Sequence, residues 1–352
     1  MRNILVTGGA GFIGSHTCLL LLEKDYNVFV IDSFVNSSPE SINKIIKINN
    51  SLKKKVKNDL KVFNGDLKDI SFIKNVFSEI TRSNKKIDGV IHFAGLKSVA
   101  DSLIYPIEYW KVNVLGAINL LEVMSNYDCQ TLVFSSSATV YENKGNSQLS
   151  EKSPLKPINP YGHTKLTVEN ILKDIYNASK QKSKFASLRY FNPIGAHISG
   201  LIGENPKGKP NNVFPLIINT AQGIQKELKI FGDDWPTPDG TPIRDFIHVM
   251  DLAEAHIKVL ENLFQNGPRY LDLNIGTGIG TSVLSLIKTF EKVNNVKVPY
   301  VFTNRRIGDA GYLVADNSLL KSEFQIHPRR NLEDMCRDGW KWKNLNPNGF
   351  NF

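Results

Sequence analysis

A glycine-rich turn near the N-terminus constrains the fold of this chain more than any other feature. An apolar run at residues 4–6 is followed by Gly8, Gly11 and Gly14, and then by an apolar stretch through residue 22. A strand, a glycine turn and a helix in this order form the phosphate-binding start of a dinucleotide-binding fold. Gly8 permits the tight turn, Gly11 lets the backbone approach a pyrophosphate, and Gly14 lets the helix pack closely on the strand.

An acidic residue after the second apolar run predicts which dinucleotide binds. The apolar residues 28–31 are followed by Asp32, about 20 residues beyond the glycine turn, the spacing expected for the acid that bonds a ribose. A carboxylate at this place can accept hydrogen bonds from the adenosine ribose, and it would repel the extra phosphate of NADP. Asp32 therefore predicts NAD as the cofactor.

A tyrosine and a lysine four residues apart form a candidate base with its activator. Asn159 can cap a helix and Pro160 suits its first turn, so that Tyr161 and Lys165 should share one helical face. A tyrosine ionises at a pH of about 10, so neighbouring positive charge must stabilise its phenolate before it can act as a base near neutral pH. Lys165 and a cationic cofactor could supply that charge. Taken alone, the pair could equally be two surface residues of a helix.

Three serines end a buried-looking strand upstream of this pair. Residues 131–134 are apolar or β-branched, and Ser135, Ser136 and Ser137 follow them. Ligands of an open parallel sheet bind at the carboxyl ends of its strands, where a serine can bond both a substrate hydroxyl and the base that takes its proton. Serine clusters also form turns and helix caps. Ser137 becomes a catalytic candidate because it completes a Ser-Tyr-Lys set.

Apolar runs alternate with helical stretches along the first half of the chain, which predicts a parallel, doubly wound sheet. Strands are expected at residues 62–66, 89–94, 131–135 and 185–190, and helices near residues 13–24, 70–83, 108–127 and 161–180. After Phe191 come two loops rich in glycine, proline and asparagine, and long loops in a compact enzyme usually bind something. We therefore expect an α/β protein with a Rossmann-type NAD-binding domain over residues 1–190 and a smaller α/β substrate-binding domain over residues 191–352.

Composition argues against several other classes of protein. The sequence has no run of about 18 apolar residues and no signal-like segment, so neither a membrane span nor secretion is expected. Cys18, Cys129 and Cys336 form no Cys-x-x-Cys pair, which favours a reducing cytoplasm. Much of the net charge of +9 lies in the lysine-rich stretch 53–61, which has no interleaved aromatic residues. That stretch predicts a solvated helix end and not a nucleic-acid site.

A series of motifs lies in order along nearly the whole chain. Through these motifs the chain resembles the extended short-chain dehydrogenase/reductase family, and within that family the branch that epimerises UDP-hexoses at carbon 4. The motifs lie at residues 11–17, 92–97, 134–141, 189–193, 210–212 and 244–251. The resemblance implies a homodimer, with the apolar helices near 108–127 and 161–180 as its candidate interface. It also implies that later segments of the chain cross back to the first domain.

The resemblance carries over to individual positions. It implies that the cofactor is bound by Gly8, Gly11, Phe12, Ile13, Gly14, Asp32, Asn36, Asp66, Leu67, Phe93, Ala94, Gly95, Lys97, Asn113, Ser135, Tyr161, Lys165 and Tyr190. It implies that the substrate is bound by Lys97, Ser137, Tyr161, Phe191, Asn192, Asn212, Val213, Lys229, Phe231, Arg244, Arg306, Asp309 and Leu313. The two arginines suit a diphosphate, because each guanidinium can bond two oxygens at once.

Two further motifs are expected to be structural. No cluster of histidine, cysteine and carboxylate has the spacing of metal ligands, so His92 and His248 are expected to be packed side chains. Residues 274–280 imitate a second glycine turn. We expect that stretch to cap a helix at 281–290 and to line the uridine pocket, and not to bind a second dinucleotide.

The reaction implied is an oxidation followed by a reduction within one site. Tyr161, as phenolate, takes the proton of the sugar 4-hydroxyl while the 4-hydrogen leaves as hydride to NAD. The flat 4-keto sugar then turns over, the same hydride returns to the other face of carbon 4, and Tyr161 gives the proton back to the oxygen.

Single residues separate this reaction from its rivals. Related dehydratases carry Thr-Asp-Glu where this chain has Ser137 and the two residues after it, so water elimination is not expected. A net dehydrogenase or keto-reductase would need an exchangeable, often phosphorylated cofactor, which Asp32 disfavours. A non-catalytic dinucleotide sensor usually lacks the tyrosine or the lysine, and both are present.

The size of sugar that the site accepts depends on one wall position. Counting between Asp309 and Asp316 places Leu313 where a tyrosine restricts the pocket to plain hexoses and a small residue admits N-acetylated ones. Leucine is intermediate, and Tyr312 could compensate if the backbone slips by one residue. We expect exchange of UDP-glucose and UDP-galactose as the main activity. The alternative is epimerisation of UDP-N-acetylhexosamines or another NAD-dependent change to a nucleotide sugar.

Overall fold

A parallel sheet organises the structure, a computed structural model that describes residues 1–51, 59–142, 145, 147–179, 182–208, 210–306 and 309–350. Most of the lysine-rich stretch, for which a solvated helix end is predicted, lies outside the described residues. The strands are β1 Asn3–Thr7, β2 Asn27–Asp32, β3 Leu60–Asn64, β4 Gly89–His92, β5 Thr131–Ser137, β6 Lys184–Tyr190, β7 Asn192–Ile194, β8 Leu228–Phe231, β9 Ile243–His248, β10 Arg269–Ile275, β11 Gly280–Ser282, β12 Tyr300–Thr303 and β13 Tyr312–Leu313.

Helices cover both faces of the sheet, and further helices lie in the second half of the described chain. They are α1 Phe12–Glu23, α2 Pro39–Ser51, α3 Ile70–Arg82, α4 Val99–Ile104, α5 Pro106–Tyr109, α6 Gly116–Asn126, α7 Pro160–Ala178, α8 Val213–Ala221, α9 Val249–Gln265, α10 Val283–Asn294, α11 Ser318–Phe324 and α12 Leu332–Leu345. A π-helical turn, Trp110–Leu115, joins α5 to α6, and a 3₁₀ turn, Ala138–Val140, follows β5. The expected helices near 13–24, 70–83 and 161–180 are confirmed as α1, α3 and α7, whereas the one expected near 108–127 is divided by the π-helical turn.

The central sheet has seven strands in the order β3-β2-β1-β4-β5-β6-β10, and all neighbours run parallel. The predicted doubly wound α/β sheet is thereby confirmed. The strand order reverses between β1 and β4, and a crevice at such a reversal is where open α/β sheets bind ligands. The carboxyl ends of β1, β4, β5 and β6 meet beside it.

The seventh strand comes from the second half of the chain. β10 pairs with β6 from Arg269 opposite Lys184 to Ile275 opposite Tyr190. No strand was predicted there, because polar residues such as Asp272 and Asn274 interrupt its apolar pattern. The expected return of later segments to the first part of the molecule is nevertheless present in β10. The domain boundary at residue 190 stays a prediction.

Apolar side chains fill both sides of the central sheet. Buried residues of β1, β2 and β6 pack against α1, α2 and α9 on one side, and α3, α6 and α7 cover the other. A separate apolar cluster joins α8, α10 and α12 to β8. Two smaller sheets lie outside the central one, β11-β9-β13 with β7 beside β9, and β12-β8. Over the described ranges, no helix is both long and apolar enough to cross a membrane.

Candidate active site

A cleft of about 540 Å³ lies at the carboxyl ends of the central strands. It brings together residues that are far apart in the sequence, including those of the glycine turn, the end of β5 and the start of α7. The sequence-predicted residues that line it are Gly8, Gly11, Phe12, Ile13, Gly14, Asp32, Asn36, Asp66, Leu67, Phe93, Ala94, Gly95, Lys97, Ser135, Ser137, Tyr161, Lys165, Tyr190, Phe191, Asn192, Asn212 and Val213. The fold thus places nearly all of the predicted cofactor residues in one cavity.

The glycine turn has the geometry of an anion-binding loop. Gly8 has a φ of +71°, and a Cβ there would lie 2.7 Å from Ala94 N. A Cβ on Gly14 would lie 2.2 Å from Gly8 O, so the helix can approach the strand this closely only without a side chain. Gly11 precedes α1, and no described side chain caps the helix start. The first N–H groups of α1 therefore border the cleft without a capping acceptor, which suits a phosphate.

The carboxylate of Asp32, at the end of β2, lies beside the glycine turn. This carboxylate accepts hydrogen bonds from Ala10 N at 2.9 Å, Phe34 N at 2.9 Å and Ser37 Oγ at 2.7 Å. A carboxylate has about four lone-pair sites, so one remains for a ligand hydroxyl. The residues present therefore fit a dinucleotide whose adenosine ribose carries no phosphate.

The start of α7 forms as the sequence predicts. Asn159 Oδ1 accepts a hydrogen bond from Gly162 N at 2.9 Å, and Pro160 is the first helical residue. Tyr161 and Lys165 then lie one turn apart, with Lys165 Nζ 5.8 Å from the centroid of the Tyr161 ring. Lys165 Nζ donates to Ser135 O at 2.7 Å, which fixes the lysine against the end of β5.

Burial governs the titration of this pair. It raises the pKa of Tyr161, and a hydrogen bond with Ser137 works in the opposite direction. Burial also lowers the pKa of Lys165 to about 8, while the charge of Glu169 opposes that change. The expectation that Lys165 lowers the pKa of Tyr161 is therefore outweighed by burial in the protein alone. Further positive charge in the cleft is needed to produce the phenolate near neutral pH.

Each of the three serines contacts a different functional group. The carbonyl of Ser135 accepts from Lys165, Ser137 acts on the pKa of Tyr161, and Ser136 Oγ donates to Glu169 Oε1. Sequence reasoning missed Ser136 and Glu169. The signal that could have found Glu169 is its position eight residues after Tyr161, on the same face of α7.

Two predicted cofactor residues have protein partners. Lys97 lines the cleft and its Nζ lies 3.0 Å from Glu204 Oε1, an acid that sequence reasoning also missed. Asn113 lies behind the cleft wall, because its amide bonds the backbone N and O of Leu96 and the hydroxyl of Thr164. Asn113 thereby holds the 95–97 loop that borders the cleft, and its contact with the cofactor stays a prediction.

The predicted substrate residues form two groups. Phe191, Asn192, Asn212 and Val213 line the cleft, and Asn192 Oδ1 is buried without a hydrogen-bond partner among the described residues. An acceptor in this state is available to a ligand donor. The second group is not part of the cleft lining and consists of Lys229, Phe231, Arg244, Arg306, Asp309 and Leu313.

Strand β9 connects the two groups. Phe246 lines the cleft, and Arg244 lies two residues earlier on the same face of the strand. Burial and the nearby Arg306 lower the pKa of Arg244, while Asp309 opposes the shift. The Arg306 guanidinium lies 4.2 Å from the centroid of the Phe231 ring. Arg244, Arg306 and Asp309 therefore lie near enough to influence one another, and two guanidinium groups suit an anionic ligand.

The structure distinguishes Leu313 from Tyr312. In the pairing of β13 with β9, Leu313 is opposite Arg244 and Tyr312 is opposite Ile243. Leu313 packs against the apolar cluster that contains Phe191, whereas Tyr312 lies toward Gly280, with its Cε2 3.7 Å from where a Cβ would stand. Because neighbouring strand residues point to opposite faces, Tyr312 does not substitute for Leu313 at the wall of the site.

The second glycine stretch does not cap a helix. The carboxylate of Asp245 accepts from Thr277 N at 2.8 Å, Thr277 Oγ1 at 2.6 Å and Gly278 N at 2.9 Å. The cap of α10 is instead Ser282, whose Oγ accepts from Ser285 N. The expected cap was wrong because a strand, β11, separates the glycines from the helix. None of residues 274–280 is in the lining of the cleft.

The two histidines are packed side chains, as predicted. His92 Nδ1 lies 2.6 Å from Thr7 Oγ1, and His248 Nδ1 accepts from Met250 N at the start of α9. Both rings are buried. Within the described residues, no three histidine, cysteine or carboxylate side chains are grouped so that they could hold a metal ion.

Comparisons with known proteins agree with this geometry. Residues 4–276 match the NAD dependent epimerase/dehydratase family. A UDP-glucose 4-epimerase of Bacillus subtilis is 46% identical over 347 residues, which cover 99% of this chain and 98% of that protein.

Two solved structures have the same fold. A UDP-glucose 4-epimerase from Stenotrophomonas maltophila, with bound NAD and formylated UDP-arabinopyranose, is 42% identical, with a TM-score of 0.92 and 99% of both chains covered. A UDP-glucose 4-epimerase from Bifidobacterium longum, in complex with NAD+ and UDP, is 40% identical, with a TM-score of 0.91 and coverage of 99% of this chain and 100% of that one.

Proposed function

This chain belongs to the NAD-dependent epimerase/dehydratase family, and on that premise we propose that Tyr161 is the acid and base with which it interconverts UDP-glucose and UDP-galactose. The chain is an epimerase, and therefore an isomerase, and it acts with NAD on carbon 4 of a UDP-sugar. One observation carries the proposal for Tyr161. Its side chain, with Ser137 and Lys165, lines the same cleft as the glycine turn and Asp32.

Each side chain of the site has a separate role in the proposed reaction. Tyr161 removes the proton from the sugar 4-hydroxyl, and Ser137 orients that hydroxyl and the phenol. Lys165, held by Ser135, supplies positive charge beside the phenolate. The glycine turn and Asp32 would hold NAD, which would supply an acceptor and donor for the hydride of carbon 4. Tyr161 returns its proton once the 4-keto sugar has turned over.

Inversion requires that the sugar turns while the nucleotide stays in place. Arg244 and Arg306 suit the diphosphate, and Asn192 offers a buried acceptor beside the sugar. Strong contacts to UDP and few to the hexose allow rotation of the 4-keto sugar without its release. Most of the binding energy therefore comes from the UDP portion, which does not react.

The experiment that tests this function is conversion without added cofactor. Purified protein incubated with UDP-galactose alone should form UDP-glucose, because the NAD that it carries emerges unchanged from each cycle. The product is measured by chromatography, and bound NAD is measured after denaturation of the same sample. If the sample contains NAD but forms no UDP-glucose, the proposed function is wrong.

We predict that the site discriminates against N-acetylated sugars. Leu313 and Phe191 pack in one apolar cluster beside the cleft, so the wall is less open than with a small residue. The catalytic efficiency with UDP-N-acetylglucosamine should be well below that with UDP-galactose. Leu313→Ala should raise the efficiency with UDP-N-acetylglucosamine relative to that with UDP-galactose by about tenfold, the size of effect that a few methylene groups have in an apolar pocket.

The matched control for this variant is Tyr312→Ala. Tyr312 lies toward Gly280, so its truncation should leave the ratio of the two efficiencies unchanged. If the wild-type protein turns over both sugars equally well, Leu313 does not restrict the pocket.

We propose in addition that two copies associate through the surface formed by α4, α5 and the π-helical turn. Large apolar side chains are exposed there, among them Leu103 at 62%, Ile107 at 69% and Trp110 at 41%. An apolar patch of this kind on a protein surface marks an interaction site. A second copy is the expected occupant, because the resemblance implies a homodimer and the π-helical turn lies in 108–127, one of the two candidate interface stretches beside 161–180.

The oligomeric state tests this surface. The wild-type protein should have twice the chain mass of 39.5 kDa in analytical ultracentrifugation. Ile107→Lys should shift the population to single chains, whereas Ile224→Lys, at an equally exposed apolar side chain elsewhere, should not. A wild-type protein that sediments as a single chain would contradict the proposal.

A reducing compartment such as the cytoplasm is the proposed location. Cys18, Cys129 and Cys336 are free and buried. Burial raises the pKa of the Cys129 and Cys336 thiols to about 12, so they stay protonated and unreactive.

A further inference from the structure

A buried carboxylate lies one helical turn beyond the catalytic lysine. Tyr161, Lys165 and Glu169 are spaced by four residues along α7, so they form a stripe on one face of the helix. Only 2% of the Glu169 surface and 4% of the Lys165 surface are exposed. The proposed reaction assigns roles to the first two residues of the stripe and none to the third.

Glu169 is held by more hydrogen bonds than a surface carboxylate receives. Arg189 bonds it with two nitrogens, Nε to Oε1 at 3.0 Å and Nη2 to Oε2 at 2.7 Å. Ser136 Oγ donates to Oε1 as well. Burial raises the pKa of Glu169, and these three donors oppose the shift. The bidentate arginine keeps the group a carboxylate and ties α7 to β5 and β6.

The negative charge that acts on Lys165 comes from outside the cleft lining. Its ammonium is buried and donates to one carbonyl, that of Ser135, and burial favours the neutral amine. Glu169 is the charged group that counteracts this effect. The Glu169 carboxylate is also bonded to Ser136, the neighbour of Ser135. Glu169 is therefore connected to Lys165 both through its charge and through the end of β5.

We propose that Glu169 is a positioning residue that keeps Lys165 in its ammonium form and aligned beside Tyr161. The inference rests on the proposed function, because it assumes that Lys165 must carry charge for Tyr161 to act. Glu169 does not touch the substrate or the cofactor, since it is not part of the cleft lining. It acts through Lys165, and its loss should change the pH at which the reaction stops.

Other ionisable groups surround the stripe and are part of this balance. On the side of Glu169, the Arg189 guanidinium also approaches Asp272 Oδ2 at 3.2 Å and the Tyr141 hydroxyl at 3.1 Å. Tyr270 donates to the backbone O of Glu169, and the Glu151 carboxyl interacts electrostatically with Arg189. On the side of Lys165 lie Tyr161, Tyr190 and the neutral His92.

The test is the pH profile of kcat for the Glu169→Gln variant. The carboxylate stabilises the ammonium, so its removal lowers the pKa of Lys165, and activity should be lost at lower pH than in the wild type. We expect the alkaline limb to move down by about one pH unit, and kcat at pH 8 to fall by about three- to tenfold. The KM for UDP-galactose should change little, because the groups that suit UDP lie elsewhere. A purely structural role would lower activity evenly across the pH range.

Two matched variants separate charge from packing. Asp272→Asn removes the other carboxylate beside Arg189 without acting on Lys165, so it should lower thermal stability and leave the alkaline limb in place. Glu169→Asp retains the charge and should restore the limb toward the wild-type position. An alkaline limb of Glu169→Gln that coincides with that of the wild type overturns the inference.

A double variant keeps the test decisive if Glu169→Gln does not fold. Glu169→Gln combined with Arg189→Gln leaves no buried arginine without its partner, and Asp272 is 30% exposed and can be solvated. The same downward shift is expected, and an unchanged limb overturns the inference. Failure of the proposed function is recognised separately, because the wild type would then form no UDP-glucose at any pH.

Discussion

Tyr161→Phe should lower kcat for the conversion of UDP-galactose by about two to four powers of ten, the scale of a lost general acid and base. The variant lacks the one hydroxyl that takes the proton from the sugar and later returns it. Its ring remains, so the packing of α7 and the cleft should be retained. Initial rates measure the loss, and the melting temperature and the content of bound NAD show that the fold and the cofactor site persist.

The control for this variant is a second tyrosine of the same neighbourhood. The ring of Tyr109 lies 6.5 Å from that of Tyr161, and its hydroxyl donates to Ser98 O at 2.6 Å. Tyr109→Phe removes that hydrogen bond and should change kcat by less than about tenfold, because no proton transfer is lost. Undiminished turnover in Tyr161→Phe would place the base elsewhere, with Ser137 the next candidate.

The second large effect is expected at Gly14, in the turn that precedes the cleft. A Cβ there would lie 2.2 Å from Gly8 O and 2.8 Å from Gly9 Cα, and both are backbone atoms. Gly14→Ala must therefore push α1 away from the turn, at a cost of about 1–3 kcal/mol or more in the free energy of unfolding. We expect protein that is purified with little or no NAD and that has a lower melting temperature.

Gly267→Ala is the control for this substitution. A Cβ on Gly267 would meet no atom within 4 Å, so the melting temperature and the NAD content should remain those of the wild type. Bound nucleotide is released by denaturation and quantified by chromatography. A Gly14→Ala protein that retains a full complement of NAD would mean that the turn can relax without loss of the cofactor.

Local features of the site could be predicted from the sequence because neighbouring residues create them. The start of α7 follows from Asn159 and Pro160, and the stripe of Tyr161 and Lys165 follows from the helical repeat. The close packing of the glycine turn on α1 follows from Gly14, where a Cβ would collide with the backbone of Gly8 and Gly9. Each of these predictions depends on fewer than about ten consecutive residues.

Features that depend on distant segments could not be predicted in this way. β10 was missed because its polar residues, Asp272 and Asn274, bond Arg189 and Tyr141 in the fold, while in the sequence they interrupt an apolar pattern. The loop at 274–280 was wrongly expected to cap a helix, because its partner, Asp245, lies about thirty residues away. The bond between Asn113 and Leu96 could likewise be seen only in three dimensions.

The sequence by itself therefore determined the strand, turn and helix that begin the cofactor site, the positions of the first six strands along the chain, and the pairing of Tyr161 with Lys165. These follow from residue type, steric limits and periodicity over short stretches. Only the tertiary structure decided that Glu169 is buried beside Lys165 and bonded to Arg189, that Lys97 meets Glu204, and that Leu313 faces Phe191 while Tyr312 does not. Burial and charge at these positions depend on which distant segments pack together, and packing is a property of the whole chain.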